Sequence, residues 1–196
     1  PDAGEINIFE GIEGDFILES SGEKYSEGEV RGNSYSNQWA GFAFSLDSRF
    51  AEGTQEEYEA YKTLKYDCGA YFYADDDGDE VTVLFYDSGS FGVKEYAEEC
   101  LADWEYASRD SIAQVYSESF VQGITYRREA RTVEIAGKEY LAVYLIAEKD
   151  GEVFIVYGDF CAKMDGRIID ISFSVDSIEE SLELAEKFVT CNGQAI

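Results

Sequence analysis

This sequence predicts an α+β fold, an antiparallel sheet packed by helices, and three observations predict it. Four strand-length runs follow one another in the C-terminal half, divided by the glycine turns Ala136-Gly137-Lys138, Lys149-Asp150-Gly151 and Met164-Asp165-Gly166. Asp-Gly between apolar runs is a strong hairpin signal, because both residues tolerate positive φ. Two capping boxes, Thr54-Gln55-Glu56-Glu57 and Ser177-Ile178-Glu179-Glu180, each open a segment with apolar residues at helical spacing. Finally, 45% of the 196 residues are hydrophobic, enough for one sizeable core.

The elements follow in chain order. Residues 1–34 are rich in Gly, Ser and Glu and read as an acidic arm or linker, with 35–196 as a single domain. Within the arm, Ile6–Phe9 and Phe16–Leu18 flank the turn-like Glu13-Gly14-Asp15 and suggest a small hairpin that orders only by docking on the body. Gly41–Leu46 reads as the first strand. A short helix capped by Thr54 runs to about Lys65, with Tyr58, Tyr61 and Leu64 on one side. Ala70–Ala74 and Val81–Tyr86 form a hairpin whose tip is Asp75-Asp76-Asp77-Gly78-Asp79-Glu80. A long helix spans about Val93 to Tyr116, its inner stripe read as Ala97, Leu101, Trp104, Ala107, Ser111 and Val115, with a weak point at Ser108–Ser111.

The four-strand meander occupies about Ile124–Ile135, Glu139–Glu148, Glu152–Lys163 and Arg167–Val175. Leu141–Ile146 and Val153–Tyr157 are apolar on both parities, which requires cover on both faces. In the last strand Ile169, Ile171, Phe173 and Val175 alternate with Asp170, Ser172 and Ser174, which predicts one wetter face. The closing helix carries the stripe Ile178, Leu182, Ala185, Phe188 and Val189 and stops at Asn192-Gly193.

Composition excludes several function classes. The formal charge is −27, and residues 1–126 carry most of it, with 28 acidic and 7 basic side chains. Such a surface repels phosphate backbones and anionic lipid, so no nucleic-acid partner is expected. There is no histidine, which removes Ser-His-Asp and Cys-His machinery and the usual transition-metal ligand. Neither a G-x-x-x-x-G-K nor a G-x-G-x-x-G loop occurs, so no nucleotide cofactor is implied. No apolar run approaches the roughly 20 residues of a transmembrane helix. No signal peptide is visible, but the chain starts at Pro1 and not at Met, so this carries no weight for a cytoplasmic location. The four cysteines, Cys68, Cys100, Cys161 and Cys191, form no C-x-x-C pair; two disulfides in any of three pairings, or free thiols, remain open.

Three constellations are candidates for chemistry. Asp75, Asp77 and Asp79 offer carboxylates around Gly78 to a hard cation such as Ca²⁺, although EF-hand spacing fails because its first and twelfth positions would be Tyr73 and Leu84. Solvated turn residues are the plainer reading of this tip. Arg127, Arg128 and Arg131 are the one basic cluster; Arg127 and Arg131 share a strand face with Glu129, which suits internal pairing better than an anion site. Tyr25, Tyr35 and Trp39 are either core or a stacking surface for sugar or peptide. A carboxylate pair for glycoside hydrolysis cannot be selected from 42 acids.

A family resemblance runs over roughly residues 33–190. Gly32-Asn33-Ser34-Tyr35-Ser36-Asn37-Gln38-Trp39-Ala40-Gly41-Phe42-Ala43-Phe44 resembles the segment that opens the globular domain of exported Gram-positive lipoprotein-type domains. Thr132–Tyr140 is similar to their Val-x-Ile-Gly-Lys-x-Tyr hairpin, and the last strand and Ser-x-Glu-Glu helix match in order. The family's Pro-x-x-Trp turn is replaced around Asp47-Ser48-Arg49-Phe50. The resemblance implies a PsbP-like α/β/α sandwich, named for the extrinsic photosystem subunit, and an extracytoplasmic place at the cell surface with a lipid anchor upstream. It brings no catalytic motif. The expected function is therefore a non-enzymatic binding or accessory domain with a protein or peptide partner. The alternatives are a cation- or small-ligand-binding module at the acidic tip and, third, a carboxylate-based hydrolase.

Overall fold

The computed structural model describes residues 7–75 and 78–191. In chain order the elements are β1 (Glu29–Arg31), β2 (Ser34–Asn37), β3 (Phe42–Ser45), β4 (Ala51–Glu52), α1 (Gln55–Thr63), β5 (Asp67–Tyr73), β6 (Glu80–Asp87) and α2 (Val93–Val115). They continue with α3 (Glu118–Gln122), β7 (Ile124–Ile135), β8 (Lys138–Lys149), β9 (Glu152–Met164), β10 (Arg167–Val175), α4 (Ile178–Ala185) and β11 (Val189–Thr190).

A seven-stranded antiparallel sheet, ordered β4-β5-β6-β10-β9-β8-β7, forms the middle layer. The meander turns are as the sequence predicts. Ile135 pairs with Lys138, Lys149 with Glu152 and Met164 with Arg167, which leaves two-residue loops. Both loop residues have positive φ in each case, for example 55° and 83° at Asp150 and Gly151, so the turn twist matches the strand twist. After β6, helix α2 crosses the sheet to its far edge, and the meander then returns strand by strand until β10 pairs with β6.

The two faces of this sheet are covered differently. One face meets a second sheet, ordered β1-β2-β3-β11, and α4; Phe72, Phe85, Phe160, Ile171 and Phe173 pack there with Trp39, Phe42, Phe44 and Phe188. The other face meets α2, through Leu141, Val143, Leu145, Cys161 and Ile168, and α1, through Cys68, Tyr71 and Leu84. Leu141–Ile146 is fully sealed, as its run of apolar residues requires.

Several expectations need correction. The single sheet has a companion, because the short Ser- and Gly-bearing runs at 29–37 pair with β3. Strand β10 has no wet face: Asp170, Ser172 and Ser174 are buried, since β10 is interior and the helical layer lies over them. Helix α2 is unbroken through Ser108, and its buried side runs through Ala97, Cys100, Leu101, Ser108 and Ile112, while Ala107 and Ser111 are exposed. The last helix ends at Ala185; Phe188 is still core, but Val189 belongs to β11, paired with Ala43. Asn192 and Gly193 lie outside the described residues. All four cysteines are free thiols.

The described part of the arm lies on the body. No hairpin joins 7–9 to 16–18; residues 7–12 form turns, Phe16 is buried beside α2, and Ile17 makes a parallel bridge with Lys163.

Candidate functional site

Of the candidate ligands at the acidic tip, the two described ones, Asp75 and Asp79, have different surroundings. Asp75 is exposed, and Asp77 lies outside the described residues. Asp79 turns inward, 2% exposed, and accepts from Arg49 Nη1 at 2.8 Å; the other Arg49 nitrogen donates to Glu180 at 3.2 Å. Burial, then the neighbouring Glu180, pushes the Asp79 carboxyl up to about 6 against the pull of Arg49. Arg49 thus ties the Asp47–Phe50 turn both to Asp79 and to α4. No group of three metal-ligating side chains occurs among the described residues.

The basic cluster is internally paired. Arg127 meets Glu129 and, at 3.1 Å, Glu148; Arg128 reaches across to Glu105 on α2 at 3.0 Å; Arg131 pairs with Glu129 at 3.1 Å. Tyr35 and Trp39 are core, not a stacking platform. Tyr25 closes over them, edge-on to Trp39 at 5.0 Å, with Arg167 3.9 Å from its own ring.

A cavity of about 400 Å³ lies at the start of α2, lined by Asp15, Ile17, Phe91, Lys94, Glu95 and Lys163 among others. Its lysines already hold the chain together. Lys163 Nζ donates to the Gly89 and Phe91 carbonyls, and Lys94 Nζ donates to that of Ile12.

Two constellations escaped the sequence reading. The first is an exposed aromatic ledge beside the start of β7. Tyr116 and Phe120 stack at 4.3 Å, and the Phe154 ring stands edge-on to both at 5.9 Å. Tyr116, Phe154 and Val153 are 42%, 36% and 48% exposed. Lys149 Nζ lies 4.6 Å over the Phe120 ring, a cation–π contact, and the exposed acids Glu118, Asp150 and Glu152 stand next to these residues in the chain. Strand β7 forms the outer edge of the large sheet here, with β8 as its strand partner. The three rings come from three elements, so no local pattern announces them.

The second is a pair of buried acids. Asp159 on β9 and Asp170 on β10 are each 2% exposed and both face α2. Trp104 Nε1 donates to Asp159 at 2.8 Å and stacks on Tyr157; the Tyr96 hydroxyl donates to Asp170 at 2.7 Å. Desolvation pushes the Asp159 carboxyl up to about 6, and desolvation plus the charge of Asp159 holds Asp170 well above the usual carboxylate range. Burial likewise raises the nearby Cys100 and Cys161 thiols, so they are not activated nucleophiles. An acid in the middle of an interior strand was the available signal.

No family model and no curated protein sequence matches the chain. Among solved structures it is similar to the solution structure of cyanobacterial PsbP (CyanoP) from Synechocystis sp. PCC 6803. That match has a TM-score of 0.51 at 13% identity, over 87% of this chain and 98% of the other. The fold is PsbP-like. A crystal structure from Bacteroides thetaiotaomicron aligns over 85% of this chain and 52% of its own, at 13% identity and a TM-score of 0.42. At such identity the PsbP-like likeness concerns architecture alone. No helix among the described residues is long and apolar enough to cross a membrane.

Proposed function

We propose that this chain is a non-enzymatic accessory or binding domain that works outside the cytoplasm, at a cell surface, by holding a protein or peptide partner. The observation that carries the reading is the aromatic ledge of Tyr116, Phe120 and Phe154 beside the open edge of β7. Exposed clustered rings mark interaction surfaces, and an unpaired edge accepts an extended peptide as an added strand. The acids beside the rings favour a partner segment that carries Lys or Arg next to apolar side chains. The location, with a lipid anchor upstream, draws on the resemblance to exported lipoprotein-type domains.

The non-catalytic reading has its own support. Asp159 and Asp170 are the kind of raised acid pair a hydrolase would need, yet each is only 2% exposed beneath α2. The competing proposal, weak Ca²⁺ binding at the tip, has to do without Asp79, which Arg49 engages. Calorimetric heat on adding calcium that Asp75→Ala abolishes would favour it.

Selection of binders from a displayed library of extended peptides tests the leading reading. Expected are basic, aromatic-bearing sequences whose binding is lost in the Phe120→Ala/Phe154→Ala double variant while its thermal midpoint stays within a few degrees. Binders indifferent to both substitutions, or none at all, would count against the ledge.

A further inference from the structure

Two of the points at which α2 is tied to the sheet are buried carboxyl groups. Register places Asp159 opposite Ser172 and Asp170 opposite Cys161, so the two acids are diagonal neighbours on one face of adjacent strands. Such neighbours lie about 7 Å apart or less at the side chains. Each accepts a hydrogen bond from α2, Asp159 from Trp104 and Asp170 from Tyr96. Those donors are eight residues apart, about 12 Å along the helix axis. Asp170 also accepts weakly from Cys161 Sγ at 3.8 Å.

What faces the pair is uncharged or acidic. From α2 come Tyr96, Cys100, Trp104 and, at more distance, Asp103. From α1 and the turn after it come Tyr61 and Tyr66. From the strands come Cys161, Ser172, Thr82 and Leu84, and from the arm the apolar Phe16. Among the described residues no Lys or Arg contributes to either acid. Two carboxylates this close in a dry layer, with no cation between them, cannot both ionise without cost.

We propose that Asp159 and Asp170 form a proton-operated clamp: protonated they sit uncharged in the dry layer under α2, and ionised their need for water outweighs the stronger hydrogen bonds that Trp104 and Tyr96 then give, so that the helix loosens. Both carboxyls are raised in the fold, so the folded state binds the extra protons. For Asp159 the stabilisation is complete below the unfolded carboxylate range near pH ~4 and is lost as pH rises through about 6; Asp170, also raised, acts in the same direction. This is the reverse of ordinary acid denaturation. Helix α2 ends against Tyr116, so the same protons control one wall of the aromatic ledge. That consequence rests on the docking reading above, whereas the clamp itself does not.

The test needs no partner. The Trp104 indole N–H signal is followed by NMR from pH 4.5 to 8.5 in the intact chain, alongside urea midpoints of the wild type, Asp159→Asn and Asp170→Asn. The expected result is a Trp104 shift with a midpoint near 6 that is absent in Asp159→Asn. The folding equilibrium of the wild type, relative to Asp159→Asn, should fall roughly 25-fold between pH 4.5 and 8.5, the part of a two-unit shift that this window covers. A Trp104 signal flat across this range in the wild type, which needs no variant to fold, overturns the clamp. So does the same pH slope in wild type and both variants. If the clamp is seen and ledge binding is not, the docking reading alone fails.

Discussion

The two faces of the large sheet are built from the same strands on different principles. Toward the small sheet, Phe72, Phe85, Phe160 and Phe173 interlock with Phe42, Phe44 and Phe188, with Phe44 and Phe188 4.4 Å apart. Toward the helices, apolar residues share the layer with two carboxyls, the thiols of Cys68, Cys100 and Cys161 and hydroxyls such as those of Tyr66 and Tyr96. Apolar packing tolerates change in proportion to the volume removed and ignores pH. A polar layer in low dielectric depends on each partner being present and on its protonation state. The aromatic packing of one face thus supplies stability that does not depend on pH, although Asp79 beside α4 is a raised acid too, and the pair of buried acids lies under α2.

The difference can be broken from either side. The largest effect belongs to the aromatic face. Phe173→Ala empties a site sealed between Phe160 and Phe188 and should cost about 3–5 kcal/mol in urea unfolding, equally at pH 5 and pH 8. Next comes Asp170→Ala on the helical face. It strands the Tyr96 hydroxyl and should cost about 1–3 kcal/mol at pH 5. At pH 8 the cost should shrink or reverse, since ionisation of the native acid no longer has to be suppressed. A uniform loss at both pH values would erase the contrast between the faces.

A smaller effect sharpens it. The Tyr140 hydroxyl, in the aromatic layer, is buried with no hydrogen-bond partner among the described residues. Tyr140→Phe should therefore be neutral or stabilise by up to about 1 kcal/mol, whereas Tyr96→Phe should destabilise at low pH. The smallest effect is expected at the surface. Arg127→Ala removes exposed pairs with Glu129 and Glu148 and should shift stability by less than about 1 kcal/mol. Equilibrium unfolding of each variant beside the parent chain checks these values.

How far the sequence foretold this follows from where each signal is stored. The meander was legible because each Asp-Gly or Ala-Gly turn needs two positive-φ positions, and few residues accept them. The capping box at Thr54 was legible because its donors and acceptors lie within four residues: Glu57 N–H donates to Thr54 Oγ1, and Thr54 N–H to Glu57 Oε2. Of the small sheet only β3 was legible, as the strand read at Gly41–Leu46; β1 and β2 hold three and four residues and owe their pairing to the aromatic layer beneath. The inner stripe of α2 was read one position off at Ala107, because Ser108 is buried by a hydrogen bond with Tyr126, a partner 18 residues away. Asp159 and Asp170 were hidden among 42 acids, and only strand order places them on one interior face. The ledge rings, from α2's end, α3 and β9, likewise meet only in three dimensions.

The most direct measurement is native-state hydrogen exchange at pH 5.5 and pH 8, corrected for intrinsic rates, comparing the amides of α2 with those of β2 and β3. The account predicts that protection of α2 falls selectively at pH 8 while β2 and β3 keep theirs. Equal loss in both layers, or α2 amides as protected at pH 8 as at pH 5.5, would contradict it.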